Sequence, residues 1–552
     1  MEPESATKLL RWGSMRTVAL VACLLVFPLI VMMSASYHDR MFDLIGGLAE
    51  VKVPGGKSQN VAAVFSTDTE PNLYQPAGVS VDDLLLGGLL ASGFDQESCL
   101  SRYQSVLYRK PSPKQPSAYL VSKLRNYENL HKKCGPSTEA YKATLRVIYS
   151  RNVSSPTECN YIVWTAQAGL GNRILTMASA FLYALLTNRV LLVEFNADMG
   201  DLFCEPFQNT SWLLPRNFPK ECRRFNQWNS QTLGNLLKSN IFDSSTSLPP
   251  SHVNVFLSYG LTDSDKLFYC DESHILLRKV PWLILRSDEY FVPALFLMPS
   301  FQEELDRMFP DKESVFHHLG RYLFHPSNKA WGLVTRFYNS YLADADERIG
   351  MQIRVFNPKA NPFQTLTDQI LSCTLQENLL PQVDKQELVA SPSKNKTTKA
   401  ILIASLYSEF YENITNRYWK FPTRTGEVIE VYQPSHEEYQ HFGDNSHNVK
   451  AWVEMYLLSL SDELVTSAGS TFGYVAQGLG DLRPWILHRP ENWMNSRKAS
   501  CHLGISIEGC LHIPPSYDCN KKVNSDMGKV VPYVKHCEDS PSGLKLVNDY
   551  TF

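Results

Sequence analysis

The sequence predicts an α/β fold in two halves, each a parallel sheet covered by helices, and three observations carry that prediction. A strand–helix–strand unit is legible between Tyr161 and Phe195, and a second run of alternating strand and helix patterns begins at Arg348. The strand segments in both are near-continuous apolar runs, the mark of strands buried on both faces. At 552 residues the chain exceeds what one core usually supports, which agrees with two large domains or one long domain with appendages.

The amino end sets the topology. Lys8, Arg11 and Arg16 precede an uncharged run from Thr17 to Tyr37, about the length of a membrane-crossing helix. A cleaved signal peptide, with Ser34 and Ser36 as small residues near a cleavage point, is the competing reading. Its apolar region is normally about 7 to 15 residues, shorter than the run here. Residues 1–16 are therefore expected as a cytosolic tail, 17–37 as a transmembrane signal-anchor helix, and everything after His38 as luminal. Residues 38–82 are polar and broken by Pro and Gly, the composition of a stem that does not pack. Asn152, Asn209, Asn395 and Asn413 open glycosylation sequons, as a luminal body allows. The formal net charge of −3 gives no support for nucleic-acid binding.

Between Cys99 and Tyr149 the pattern is helical. Tyr161–Trp164 is then a strand, Gly169-Leu-Gly171-Asn172-Arg173 a turn, Ile174–Thr187 a helix and Val190–Phe195 a strand. Ligands of parallel sheets sit at the carboxyl ends of the strands, so this glycine turn faces a cleft. It lacks the third glycine of a dinucleotide fingerprint and points instead to close backbone approach. Strands follow at 252–258 and at 282–286, the latter ending in Arg286-Ser-Asp288-Glu289. Phe301–Asn328 reads as a helical connection. In the second half the strands are 349–355, 400–406, 427–432 and 485–488, with a helix over 449–460 and a polar surface insertion between Gln382 and Lys399. The halves are bounded as 83–330 and 331–500, leaving 501–552 as a cysteine-rich segment expected to pack back on the body.

Ser467-Ala-Gly-Ser-Thr-Phe-Gly-Tyr474 joins the apolar Leu464–Val465 to a helix-like segment, 472–480. The first amides of a helix lack intrahelical partners and, with the helix dipole, favour an anion at such a turn. With no Lys at the required place it is not a Walker A loop, and a capped helix behind an ordinary turn is the plain alternative. Arg354 emerges from strand 349–355, and a guanidinium opposite a ring of amides can hold a pyrophosphate without metal. That combination reads as a sugar-nucleotide site, unless Arg354 is the structural partner of Asp462 or Glu463. Two Asp-x-Asp pairs, Asp263/Asp265 and Asp344/Asp346, do not directly close apolar strands and read as turn or capping carboxylates, so no metal site is expected. Eleven of twelve cysteines follow the span; Cys501, Cys510, Cys519 and Cys537 crowd the tail, where disulfides are expected. A zinc site using His502 and His512 lacks any C-x-x-C pair. The odd luminal count leaves at least one thiol free or shared between chains.

Ile349-Gly-Met-Gln-Ile-Arg-Val-Phe356, the 467–474 turn and Ala168-Gly-Leu-Gly-Asn-Arg173, in this order, resemble the plant xyloglucan-type galactoside α-1,2-fucosyltransferases. The resemblance runs from about Asp82 to the tail and includes Leu86-Gly-Gly-Leu-Leu-Ala-Ser-Gly-Phe-Asp95 and Cys99-Leu-Ser-Arg-Tyr-Gln104. It implies a single-pass type II Golgi membrane protein with a GT-B-like fold, two Rossmann-like domains facing a cleft. It further implies inverting transfer of fucose from GDP-fucose, a substrate rather than a cofactor, to the 2-hydroxyl of galactose in a polysaccharide or proteoglycan glycan, without metal. Arg354 is carried over as the donor-phosphate arginine, with Gln352, Gly469, Ser470 and Thr471 as donor-binding residues. Asn172, Arg173 and Asp288 fall on the acceptor or cleft side, and Asp288 is the candidate base. The wider group has His-x-Arg-Arg where this chain has Gln352 and Val355, which removes one candidate base. A homodimer or an assembly with other Golgi transferases is compatible with the unpaired thiol. The alternatives are a membrane-tethered glycan-binding protein that keeps a transferase fold, and a glycosyltransferase using another nucleotide sugar.

Overall fold

In the computed structural model the described residues span 80–549, apart from 151–152, 154–155, 224–230, 240–247, 259–262, 359–361, 388–396, 490–498 and 520–522. The expected tail, anchor and nearly all of the stem lie outside them, as do Asn152 and Asn395. The described residues fall in one compact unit.

The first half is a four-stranded, wholly parallel sheet of order β2-β1-β4-β3, made of β1 (Tyr161–Thr165), β2 (Val190–Glu194), β3 (His252–Leu257) and β4 (Trp282–Ser287). Helix α1 (Ala118–Cys134) precedes it and α2 (Leu170–Thr187) joins β1 to β2. The connection read as helical over 301–328 is α3 (Pro299–Met308), a turn at 312–314 and α4 (Val315–Leu323); α5 (Asn328–Tyr341) then leads into the second half. That half is a six-stranded sheet, β10-β9-β8-β5-β6-β7, parallel except for its last strand. Its strands are β5 (Glu347–Gln352), β6 (Thr398–Ala404), β7 (Val428–Tyr432), β8 (Glu463–Ser467), β9 (Trp485–Leu487) and β10 (Cys501–Leu503). Helices α6 (Phe363–Gln376), α7 (Glu409–Lys420), α8 (Asn445–Leu458) and α9 (Thr471–Gly480) cover it. Strand β5 stops at Gln352, three residues before the expected end.

Successive strand residues point to opposite faces, and the partition of the core follows that alternation. Tyr161, Val163, Trp282 and Ile284 pack outward with Cys134 and Phe218, while Ile162, Trp164, Leu283 and Leu285 face inward. In the second sheet Ile401 and Ile403 face α6 and α7, whereas Ala400, Leu402 and Ala404 face inward. Both inner faces belong to one continuous cluster filled by α2, α4, α8 and α9. The halves therefore share a core instead of each closing its own. Helix α2, the one described helix apolar and long enough to cross a membrane, is almost wholly buried in that core.

Five disulfides pair all the described cysteines but the buried Cys222: Cys99–Cys204, Cys134–Cys159, Cys270–Cys519, Cys373–Cys501 and Cys510–Cys537. Disulfides do form in the tail, but only Cys510–Cys537 lies within it; Cys501 and Cys519 bind it to the body. Cys519→Ser opens a loop of 249 residues and is expected to lower stability by about 2–4 kcal/mol, measured by urea unfolding of the oxidised protein.

Candidate active site

Strands β5 and β8 are neighbours in register, Gln352 opposite Thr466, and both leave the sheet at the same edge. Ser467 ties the two exits together. The Arg354 N–H donates to Ser467 Oγ at 2.9 Å, and Ser467 N–H donates to Gln352 Oε1 at 3.4 Å. Neighbouring strands run about 4.8 Å apart, so Arg354 and the first turn of α9 open into the same space. Arg354, Gln352, Gly469, Ser470 and Thr471 line one cavity of about 380 Å³, and Gly169 to Asn172 line it from the first half.

The helices α2 and α9 meet there by their amino ends. A Cβ on Gly171 would stand 2.8 Å from Thr471 Oγ1 and 2.8 Å from its carbonyl carbon, so only glycine permits this approach. Thr471 Oγ1 donates to Asn172 Oδ1 at 3.0 Å, and Asn172 Nδ2 donates to the Asp288 carbonyl at 2.8 Å. Asn172 thus joins α2, α9 and the end of β4. Neither helix has an acidic residue in its first turn or a side-chain cap. Two positive helix ends and their free amides therefore face one cavity, which favours an anion.

Arg354 is a cation lining this end. Its guanidinium carbon lies 5.7 Å from the Phe356 ring centroid, and Nη2 donates to Gln440 Oε1 at 3.4 Å. Burial holds its pKa below the usual value, yet guanidinium remains charged at any physiological pH. Among the described residues no carboxylate pairs with it: Asp462 is taken by Arg348 and Lys110, and Glu463 accepts from Trp485 Nε1. At the other end, beyond β6 and β7, Glu437 pairs with Lys450 and His447. There Glu454 is buried, accepts from Ser435 Oγ at 2.6 Å, and is pushed by desolvation up to about 8.

The sequence model of the xyloglucan fucosyltransferases matches residues 57–520. The chain belongs to the xyloglucan fucosyltransferase family. It is 51% identical over 545 residues to a galactoside 2-alpha-L-fucosyltransferase of Arabidopsis thaliana, covering 98% of this chain and 94% of that one. With the Pisum sativum galactoside 2-alpha-L-fucosyltransferase the figures are 51% over 531 residues, 95% and 94%. A solved structure of an arginine-to-lysine mutant of Arabidopsis thaliana FUT1 in complex with GDP is 55% identical, with a TM-score of 0.78 over 84% of this chain and 100% of that one. The fold is thus the GT-B-like α/β architecture of a fucosyltransferase.

In this fucosyltransferase the residues expected at the donor and Asn172 share the cavity; Arg173 and Asp288 are not among its lining residues. Arg173 points away from the opening, donating from Nε to the Ala168 carbonyl at 2.9 Å and from Nη1 to Asp198 Oδ2 at 2.8 Å. It stiffens the glycine turn, whose Ala168 has φ +60°, instead of facing the cleft. Asp288 is half-buried at the end of β4. Asp346 Oδ2 accepts from the Thr398 N–H at 2.7 Å, as a turn carboxylate does, and Asp263 opens a short helix, 263–266. Asn209 is exposed, whereas Asn413 is half-buried on α7 with Nδ2 donating to Thr367 Oγ1 at 3.4 Å.

Some residues at or beside the cavity were not among the site candidates of the sequence, although Glu289 was read there as part of the charged end of strand 282–286. Glu289, beside Asp288, is buried, pushed up to about 7 by desolvation, and accepts from the His512 N–H at 2.9 Å. His512 itself lines the cavity. The cluster after β7 had one signal, the density of polar and titratable residues from Ser435 to Asp444; His512 entered the sequence analysis only as a partner of His502 in a zinc site.

Glu454 gives this member of the family a pH signature. Its folded value lies above the ordinary 4.5, so the folded state holds the extra proton. The stability it contributes is full below pH 4.5 and is lost as pH rises through about 8. Glu454→Gln is expected to remove that loss, so that variant and wild type diverge in the variant's favour from about pH 5 to pH 8 in urea unfolding.

Proposed function

We propose that this chain is a metal-independent galactoside 2-α-L-fucosyltransferase, transferring L-fucose with inversion from GDP-fucose to the 2-hydroxyl of a galactose in a plant cell-wall glycan of xyloglucan or arabinogalactan type. The observation that carries the reading is the joint lining of one cavity by Arg354 and the first turn of α9, in a chain 55% identical to a protein solved in complex with GDP. The 51% identical relatives name the galactoside acceptor and the 2-linkage.

Inversion requires one in-line displacement: the galactose hydroxyl oxygen bonds to the anomeric carbon of fucose as that carbon's bond to the β-phosphate oxygen breaks. Charge grows on the departing diphosphate. Arg354 and the amides opening α9 are oriented before the reaction to receive it, the arrangement in which electrostatic stabilisation is largest. The attacking hydroxyl must lose a proton, and Asp288, at the end of β4 and tied through its carbonyl to Asn172, is the carboxylate assigned to accept it.

The amino-terminal run 17–37 supports a type II signal anchor, and the five disulfides suit an oxidising lumen such as the Golgi.

Arg354→Ala is expected to lower kcat/KM by on the order of 10²–10³, read as GDP release with labelled GDP-fucose and a galactose-terminated xyloglucan fragment. Full turnover in that variant would remove the diphosphate assignment. Asp288→Asn is expected to lower kcat by on the order of 10²–10⁴ while leaving GDP binding unchanged; near-normal turnover would leave Asp288 a residue that only positions the acceptor.

A further inference from the structure

The turn that opens α9 is held from outside by the carboxyl-terminal segment. Val534–His536 pairs antiparallel with Leu544–Leu546, and the loop between them is closed by Cys510–Cys537. Asp539 stands in that loop, 6% exposed. Its Oδ2 accepts the Gly469 N–H at 2.9 Å and the Tyr474 hydroxyl at 2.6 Å. Gly469 sits at φ +69°, where an L side chain is strained. One carboxylate therefore fixes the turn before α9 and the first full turn within it.

The same link reaches the cavity wall. Tyr474 Oη lies 3.2 Å from His512 Nε2. Because the tyrosine proton is given to Asp539, the imidazole donates Nε2–H to the tyrosine oxygen, which fixes the tautomer and the ring. Burial alone raises the Asp539 pKa, but the charge of Lys545 and the donated hydrogen bonds outweigh it and keep the carboxylate ionised. Lys545 is itself fully buried and within 3.0 Å of Glu538. Lys545 offsets part of the negative charge behind the turn, and what Asp539 contributes to the cavity is the pair of hydrogen bonds that hold Gly469 and Tyr474 in place.

We propose that Asp539 is a positioning residue of the donor site: it presets the Gly469–Thr471 turn and His512 so that a nucleoside diphosphate meets amides already aimed at it. A loop ordered in advance binds without first losing that conformational freedom. The inference rests on the reading of the cavity as the GDP-fucose site.

The test uses the full-length enzyme in detergent, with GDP as the calorimetric probe and steady-state kinetics alongside. Asp539→Ala is expected to weaken GDP and raise the GDP-fucose KM by about tenfold or more, the loss of hydrogen bonds to a charged group, with the galactoside KM unmoved. Asp539→Asn keeps an oxygen for Gly469 and is expected to recover most of that loss. A merely structural role would lower the melting temperature without separating the two KM values. Folded Asp539→Ala that binds GDP like wild type overturns the proposal. Where Asp539→Ala does not fold, Tyr474→Phe reads the same clamp: GDP weakened by about threefold supports it, and unchanged binding overturns it. Failure of wild type to bind GDP would instead overturn the donor-site reading.

Discussion

Everything at the cavity depends on the approach of two helix amino ends across Gly171 and Thr471. Each end carries roughly half a positive charge, and placing two together without an anion is unfavourable. The structure tolerates it because Asn172 inserts its amide between them, accepting from Thr471 and donating to the Asp288 carbonyl. No carboxylate occupies the first turn of either helix, so the field is left for a ligand. A glycine that looks like an adaptation to a ligand is an adaptation to the other half of the protein.

The shared core explains how that approach is maintained. Because the inner faces of both sheets pack on the same helices, displacing one half would tear apolar surface from α2, α4, α8 and α9 together. Interiors packed at crystal-like density do not deform gradually. The distance between Arg354 on one side and Asn172 on the other is therefore set by the packing of the whole body, with the loop residues Gln440 and His512 lying across it.

Much of this was legible in the sequence, for definite reasons. Strands buried on both faces are nearly pure apolar runs, so Tyr161–Thr165, Val190–Glu194 and Thr398–Ala404 were read within two residues of their ends. Arg354, Ser470 and Thr471 stood out as a strand-end cation and a small-residue turn, each with a plain structural alternative, and the structure brings them to one cavity. Direction was not legible: Arg173 is adjacent to Asn172 but turns into a buried pair with Asp198, a partner 25 residues away. Nor were partnerships across long separations, such as Glu289 with His512 or Gly469 with Asp539, since nothing local marks a tail residue as belonging to a turn 70 positions earlier. The tail cysteines looked like a local framework, and two of the three bridges they form run to the body.

The hydrogen bond between Asp539 and Gly469 also bears on biogenesis. Synthesis is vectorial, and Asp539 follows every strand of both sheets in the chain. A nascent polypeptide could bury its shared interior and still present an unbraced pocket until the last hairpin emerges and oxidises onto Cys510. Competence to engage the nucleotide would then be acquired late, after bulk collapse, by way of species that are compact yet inert.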